Sequence, residues 1–91
     1  MLKTILIDDE QSSLSAMKMK LEQHCPNVKI VACCSNGVNG IEAINRLEPD
    51  LVFLDIEMPV MNGFLMLQHL RFKKFQLIFA TAYEHFAIKA I

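Results

Sequence analysis

The 91-residue chain holds 53% hydrophobic and 21% charged residues with a formal net charge of -1, the make-up of one small folded domain rather than a disordered or fibrous segment. The largest basic cluster is Lys73-Lys74, so these residues offer nucleic acid no electrostatic footprint. No apolar run approaches the roughly 18 residues of a membrane span, and the opening MLKTILIDDE turns acidic too soon for a signal peptide; a cytoplasmic protein is expected.

The first predicted strand is KTILI, residues 3–7, and it runs straight into Asp8 and Asp9. Helical spacing of Leu14, Met17 and Leu21 follows, with Ser12 or Ser13 available to cap that helix. Pro26 ends this element and VKIVACC, residues 28–34, reads as the second strand. Its neighbours Cys33 and Cys34 would point to opposite faces and resist bridging each other, and with Cys25 they make an odd set without Cys-x-x-Cys spacing. Reduced, buried thiols are expected, with no metal or redox role.

A second helix is predicted from Val38, Ile41, Ile44 and Leu47, capped by Ser35 or Asn36 and closed by Pro49. The third strand, LVFL at 51–54, ends in Asp55, and MPVMNG then turns the chain into a third helix carrying Phe64, Leu67 and Leu70, with Asn62 as its cap. QLIFA, 76–80, is the fourth strand, ending at Thr81, and TAYEHFAIKAI reads as the start of a fourth helix. Because the strands are continuous apolar runs rather than alternating ones, a parallel sheet covered on both faces is expected, an α/β doubly wound fold. Ligands of such sheets sit at the carboxyl ends of the strands, where Asp8, Asp9, Asp55 and Thr81 all fall.

Three carboxylates on one rim repel and raise one another's pKa values unless a cation or a shared proton intervenes. Oxygen-only donors favour Mg²⁺, which keeps several waters, accepts one or two carboxylates and bridges to phosphate. Asp8 or Asp9 taken singly also suits a simple helix cap. Asp55 can act as a carboxylate nucleophile that takes a phosphoryl group, and the Thr81 hydroxyl suits the developing charge, although a strand Thr bonded to local backbone is the plainer reading of that residue alone. His24, His69 and His85 are dispersed and read as helix residues, and the Met residues, Met58 and Met61 among them, read as packing.

ILIDDE at 5–10, PDLVFLDIEMPVMNG at 49–63 and IFATAY at 78–83 resemble the receiver domain of two-component response regulators, over essentially the whole chain. The resemblance implies a flavodoxin-like sheet of order 2-1-3-4-5. It also implies Asp55 as phosphoacceptor, a sensor histidine kinase as donor, and Mg²⁺ held by Asp8, Asp9, Asp55 and the backbone carbonyl of Glu57. Thr81 would supply the switch hydroxyl, the N–H groups of Ile56 and Ala82 would contact phosphoryl oxygens, and Glu57 and Tyr83 would occupy the positions that tune dephosphorylation. A signalling module rather than an enzyme follows.

TAYEHFAIKAI and the stretch 11–32 resemble most the LytR/AlgR class, whose receivers precede a LytTR DNA-binding domain, so DNA contact would come only through an output domain outside these residues. Measured against the family, the chain reads as a receiver truncated in its fourth helix, lacking the fifth strand, its Lys and the fifth helix; Lys89 stands too close to Thr81 to replace that Lys. The fourth strand would then be an exposed edge and apolar sheet would be bared beside the first helix, which favours self-association. Two other readings stay open. One is a receiver-like interaction module that is never phosphorylated. The other is a haloacid-dehalogenase-like phosphohydrolase, which places a second Asp where this chain has Glu57.

Overall fold

The structure is a computed structural model and describes residues 1–80 and 85–89. The chain runs β1 (Leu2–Ile7), α1 (Gln11–His24), β2 (Val28–Cys34), α2 (Gly37–Leu47), β3 (Leu51–Leu54), α3 (Gly63–Gln68), β4 (Gln76–Ala80) and β5 (His85–Lys89). One sheet of order β2-β1-β3-β4-β5 results, parallel from β2 through β4. This is the α/β doubly wound architecture expected from the continuous apolar strands.

Register puts two rows of side chains on one face: Ile5, Val52 and Leu77 in the first, Cys34, Ile7, Leu54 and Phe79 in the second. Together with Ala43, Ile44 and Met66 they make the core beneath α2 and α3. The other face presents Leu6 and is covered by Leu14 of α1, both buried, while Phe53 and Ile78 stay half-buried there. All three cysteines are free thiols, but the expected burial holds for Cys34 alone: strand alternation points Cys34 into the core and Cys33 to solvent, and Cys25 is half-buried.

The helix faces differ from the periodicity in informative ways. On α2 the buried positions are Gly37, Gly40, Ala43 and Ile44, and Val38 is 63% exposed. Small residues let this helix lie close on the sheet: a Cβ at Gly40 would sit 2.8 Å from Ile7 Cδ1 and 3.0 Å from Met66 Sδ. Of the positions chosen by hydropathy spacing, Ile44 is fully buried and Ile41 and Leu47 pack against the core; Val38 alone faces away, and the spacing, blind to close approach, passed over Gly37, Gly40 and Ala43. On α3 the core residue is Met66, fully buried, whereas Phe64 lies on the rim, 54% exposed, with its ring 5.3 Å from that of Phe79.

Caps follow the sequence at two helices. Asn36 and Asn62 accept from the N–H groups of Asn39 and Leu65 at 2.8 and 2.9 Å. At α1 the cap position falls to Glu10, without a side-chain bond, rather than to Ser12 or Ser13. Asp8 explains the shift, because its Oδ1 already accepts from the Glu10 N–H at 2.9 Å and turns the chain two residues earlier.

The expected start of a fourth helix is corrected at residues 85–89. They form β5, antiparallel to β4, pairing Gln76 with Lys89 through Ala80 with His85. An antiparallel return satisfies the N–H and C=O groups along the far side of β4, which a helix would leave open. The fourth strand is therefore not the sheet edge; β5 is. Thr81, Ala82 and Tyr83 lie outside the described residues.

Candidate functional site

The site is made where two neighbouring strands stop. β1 and β3 lie side by side, and the ladder continues one residue beyond each: the Asp8 N–H donates to Cys34 O at 3.0 Å and the Asp55 N–H to Ile7 O at 2.9 Å. Both acids thus leave the sheet from rigid backbone at the same end. One carboxylate oxygen from each of Asp8, Asp9 and Asp55 falls within 4.8 Å of the others. Asp8 is buried, Asp55 half-buried and Asp9 exposed, so the cluster opens to solvent on one side.

Two backbone donors hold the two less exposed acids. Besides the Glu10 N–H on Asp8, the Glu57 N–H donates to Asp55 Oδ1 at 3.1 Å, which leaves Asp55 Oδ2 for other chemistry. Burial raises the Asp8 carboxyl above its ordinary value, the Glu10 N–H opposes this, and the Asp9 charge adds to it. The Asp55 carboxyl is pushed up to about 6 by burial first, against the pull of the Glu57 N–H, with the charges of Asp8 and Asp9 adding to the rise. Three close carboxylates, with those of Asp8 and Asp55 held above their ordinary values, are a hard-oxygen set that a divalent cation would relieve.

Glu57 is exposed, and the three-acid group does not include its carboxylate; its backbone meets the site through the N–H on Asp55. The loop from Asp55 to α3 is tied back on the Ile56 carbonyl. Ile56 O accepts from the N–H groups of Met58 at 3.1 Å and of Gly63 at 2.9 Å. A Cβ on Gly63 would stand 2.8 Å from Asp55 O and 3.1 Å from Ile56 Cα. Met58 is buried in the core, and Met61 lies against Gly37 of α2, the packing role expected for both.

Between them Val60 adopts φ 68° while fully exposed. A β-branched residue rarely enters that region, so sequence gave no signal for it. His24 and His69 are exposed at helix ends, away from the acids.

Of the residues singled out from sequence, Asp8, Asp9 and Asp55 are brought together, and Ile56 and Glu57 follow directly. Thr81 and Ala82 lie outside the described residues. The contact between Gly63 and the Asp55 carbonyl was not foreseen; the Asn-Gly pair marked a turn but not what the turn rests on.

Comparison with known proteins gives the geometry its context. A response regulatory protein of Yersinia pestis, itself uncharacterised, is 44% identical over 92 residues, covering 99% of this chain and 38% of that protein. The transcriptional regulatory protein BtsR of Escherichia coli K12 is 37% identical over 91 residues, again 99% of this chain and 38% of the relative. The chain thus spans well under half the length of these relatives. Among solved structures, a DNA-binding response regulator of the LuxR family from Staphylococcus aureus superposes with a TM-score of 0.77 at 28% identity, over 92% of this chain and 71% of that one. The response regulator domain of Thermotoga maritima CheB gives 0.72 at 25% identity, over 89% and 60%. Residues 4–91 match the response regulator receiver domain family, and with a sheet order and an acidic rim that agree with the match, the chain belongs to that family.

Proposed function

We propose that this receiver domain accepts a phosphoryl group on Asp55 from a sensor histidine kinase. The observation that carries the reading is the convergence of Asp8, Asp9 and Asp55 within 4.8 Å at the ends of adjacent strands, with the second oxygen of Asp55 unoccupied by the Glu57 N–H. In the transfer, an Asp55 oxygen attacks phosphorus, the P–N bond to the donor imidazole breaks, and the imidazole leaves with the electron pair. Asp8, Asp9, Asp55 and the Glu57 carbonyl would hold Mg²⁺, which would supply charge neutralisation during the transfer. The rigid ends of β1 and β3 aim the carboxylates, and the N–H groups of Ile56 and Ala82 and the Thr81 hydroxyl meet phosphoryl oxygens as negative charge builds.

The acyl phosphate adds roughly -1.5 to -2 charge to the rim and favours whichever conformation offers it more donors. This switch governs transcription through an output domain of LytTR type outside these residues, a reading in keeping with relatives of which the chain spans 38%. The transcriptional role of BtsR supports the regulatory half of that reading. A cytoplasmic location agrees with a soluble kinase donor domain.

The test is incubation with Mg²⁺ and acetyl phosphate or phosphoramidate, read by intact mass, on this chain and on Asp55→Asn. A Mg²⁺-dependent gain of one phosphoryl mass, lost in the variant, is expected. No gain in a chain lengthened to match its relatives would leave the unphosphorylated interaction module as the function, and turnover of a generic phosphate ester would restore the phosphohydrolase reading.

A further inference from the structure

We infer that Gly63 is a positioning residue for the phosphoryl site, because its bare Cα is the surface against which the Asp55–Ile56 peptide is oriented. The inference deepens the phosphoacceptor reading and rests on it for its effect on rate, but its geometric half stands alone. A Cβ at residue 63 would approach Asp55 O to 2.8 Å and Ile56 Cα to 3.1 Å. Both are backbone atoms, so no side-chain rotation makes room, and the peptide plane itself must turn. At Gly40 the same test meets side-chain atoms and no backbone, Ile7 Cδ1 at 2.8 Å and Met66 Sδ at 3.0 Å, so an added methyl there would crowd the core without turning a peptide plane.

In a trans peptide the N–H points opposite to the preceding C=O. With the Asp55 carbonyl set against Gly63, the Ile56 N–H is directed away from α3. Among the described residues that N–H donates to no acceptor, while the Ile56 carbonyl is pinned by the N–H groups of Met58 and Gly63. One peptide group therefore carries a fixed donor, free among the described residues, on the residue next to Asp55. Turning its plane would misaim that donor relative to charge building on a phosphoryl group at Asp55, and misplacements of about 1 Å cost up to about 100-fold in rate. Asn62, which caps α3 through Leu65 N at 2.9 Å, seats Gly63 at this position.

The experiment compares wild type, Gly63→Ala and Gly40→Ala. Two readouts are taken: the rate of acceptance from phosphoramidate as a function of donor concentration, and the residual dipolar coupling of the Ile56 N–H, which reports that bond's orientation. Gly63→Ala is expected to slow acceptance by about tenfold or more at an unchanged half-saturating donor concentration, and to change the Ile56 coupling. Gly40→Ala is expected to lose stability through crowding of the core but to keep both readouts.

A Gly63→Ala rate within about twofold of wild type, or an equal loss in Gly40→Ala, overturns the proposal. If Gly63→Ala does not fold, Asn62→Ala loosens the same contact without adding an atom, and unchanged rate and coupling there overturn it. If wild type accepts no phosphoryl group even in a chain lengthened to match its relatives, the phosphoacceptor reading fails, and the coupling alone decides: a change confined to the Gly63 and Asn62 variants upholds the positioning, and equal couplings refute it.

Discussion

Replacing Asp55 by Asn should stabilise the fold when no divalent cation is present. The rise of the Asp55 carboxyl from 3.8 to about 6 corresponds to ~3 kcal/mol at ~1.36 kcal/mol per pH unit, and solvent screening of a half-buried group reduces this to about 1–2 kcal/mol. A carboxyl whose folded pKa lies above its unfolded one binds more protons when folded, so stability is highest below about pH 4, falls as pH rises toward about 6, and stays low beyond it. Asn carries no charge to repel Asp8, and its NH₂ can donate to that carboxylate. In EDTA near pH 7.5 the variant should melt about 5–10 °C above wild type, and the gap should close as pH falls from about 6 to about 4. Adding Mg²⁺ should raise the wild-type Tm and move the variant much less, since binding to the native state alone stabilises by mass action. A variant that melts below wild type in EDTA, or a gap indifferent to pH, would refute the reasoning that these carboxylates strain the fold.

Three other substitutions probe the frame around the acids. Asn45 Oδ1 accepts from the N–H groups of Arg71 and Phe72 at 2.9 and 3.0 Å, so Asn45→Ala should strip two partners from the turn before β4 and cost about 1–3 kcal/mol in urea unfolding, with faster amide exchange at 71 and 72. Ile44 is fully buried between helix and sheet, and Ile44→Ala should cost about 2–5 kcal/mol, enough to unfold much of a domain this small at 37 °C. Val60 holds φ 68° with its side chain wholly exposed, so Val60→Gly should remove about 1 kcal/mol of backbone strain at no loss of packing; a fall in Tm would show that its side chain has an unseen partner.

The strands were readable from sequence because each is a short apolar run bounded by an acid, a Pro or a polar turn, and three of the four parallel ones begin and end where those runs do. The acids were readable for the same reason: a carboxylate directly after a buried strand has one place to go, the sheet's carboxyl rim. What stayed hidden is geometry that depends on the absence of atoms. Gly40 and Ala43, not Val38, face the sheet because α2 packs too close for larger residues, and a hydropathy pattern weights a missing side chain as nothing. Gly63 eluded the reading in the same way, its function being the space beside the Asp55 carbonyl.

Residues 85–89 mark the opposite limit, where pattern alone could not choose between helix and strand. Phe86 and Ile88 suit either period, and the deciding factor is tertiary: the open hydrogen-bonding side of β4, which an antiparallel return closes. That pairing is itself open to test. If β5 is held by the β4 ladder, amides along residues 85–89 that donate to β4 should be protected in hydrogen exchange to nearly the level of the β3–β4 amides. In a chain lengthened to match its relatives, where another segment competes for β4, that protection should change. Protection identical in the two lengths would mean that the antiparallel strand is intrinsic to this sequence and not a response to an unpaired edge.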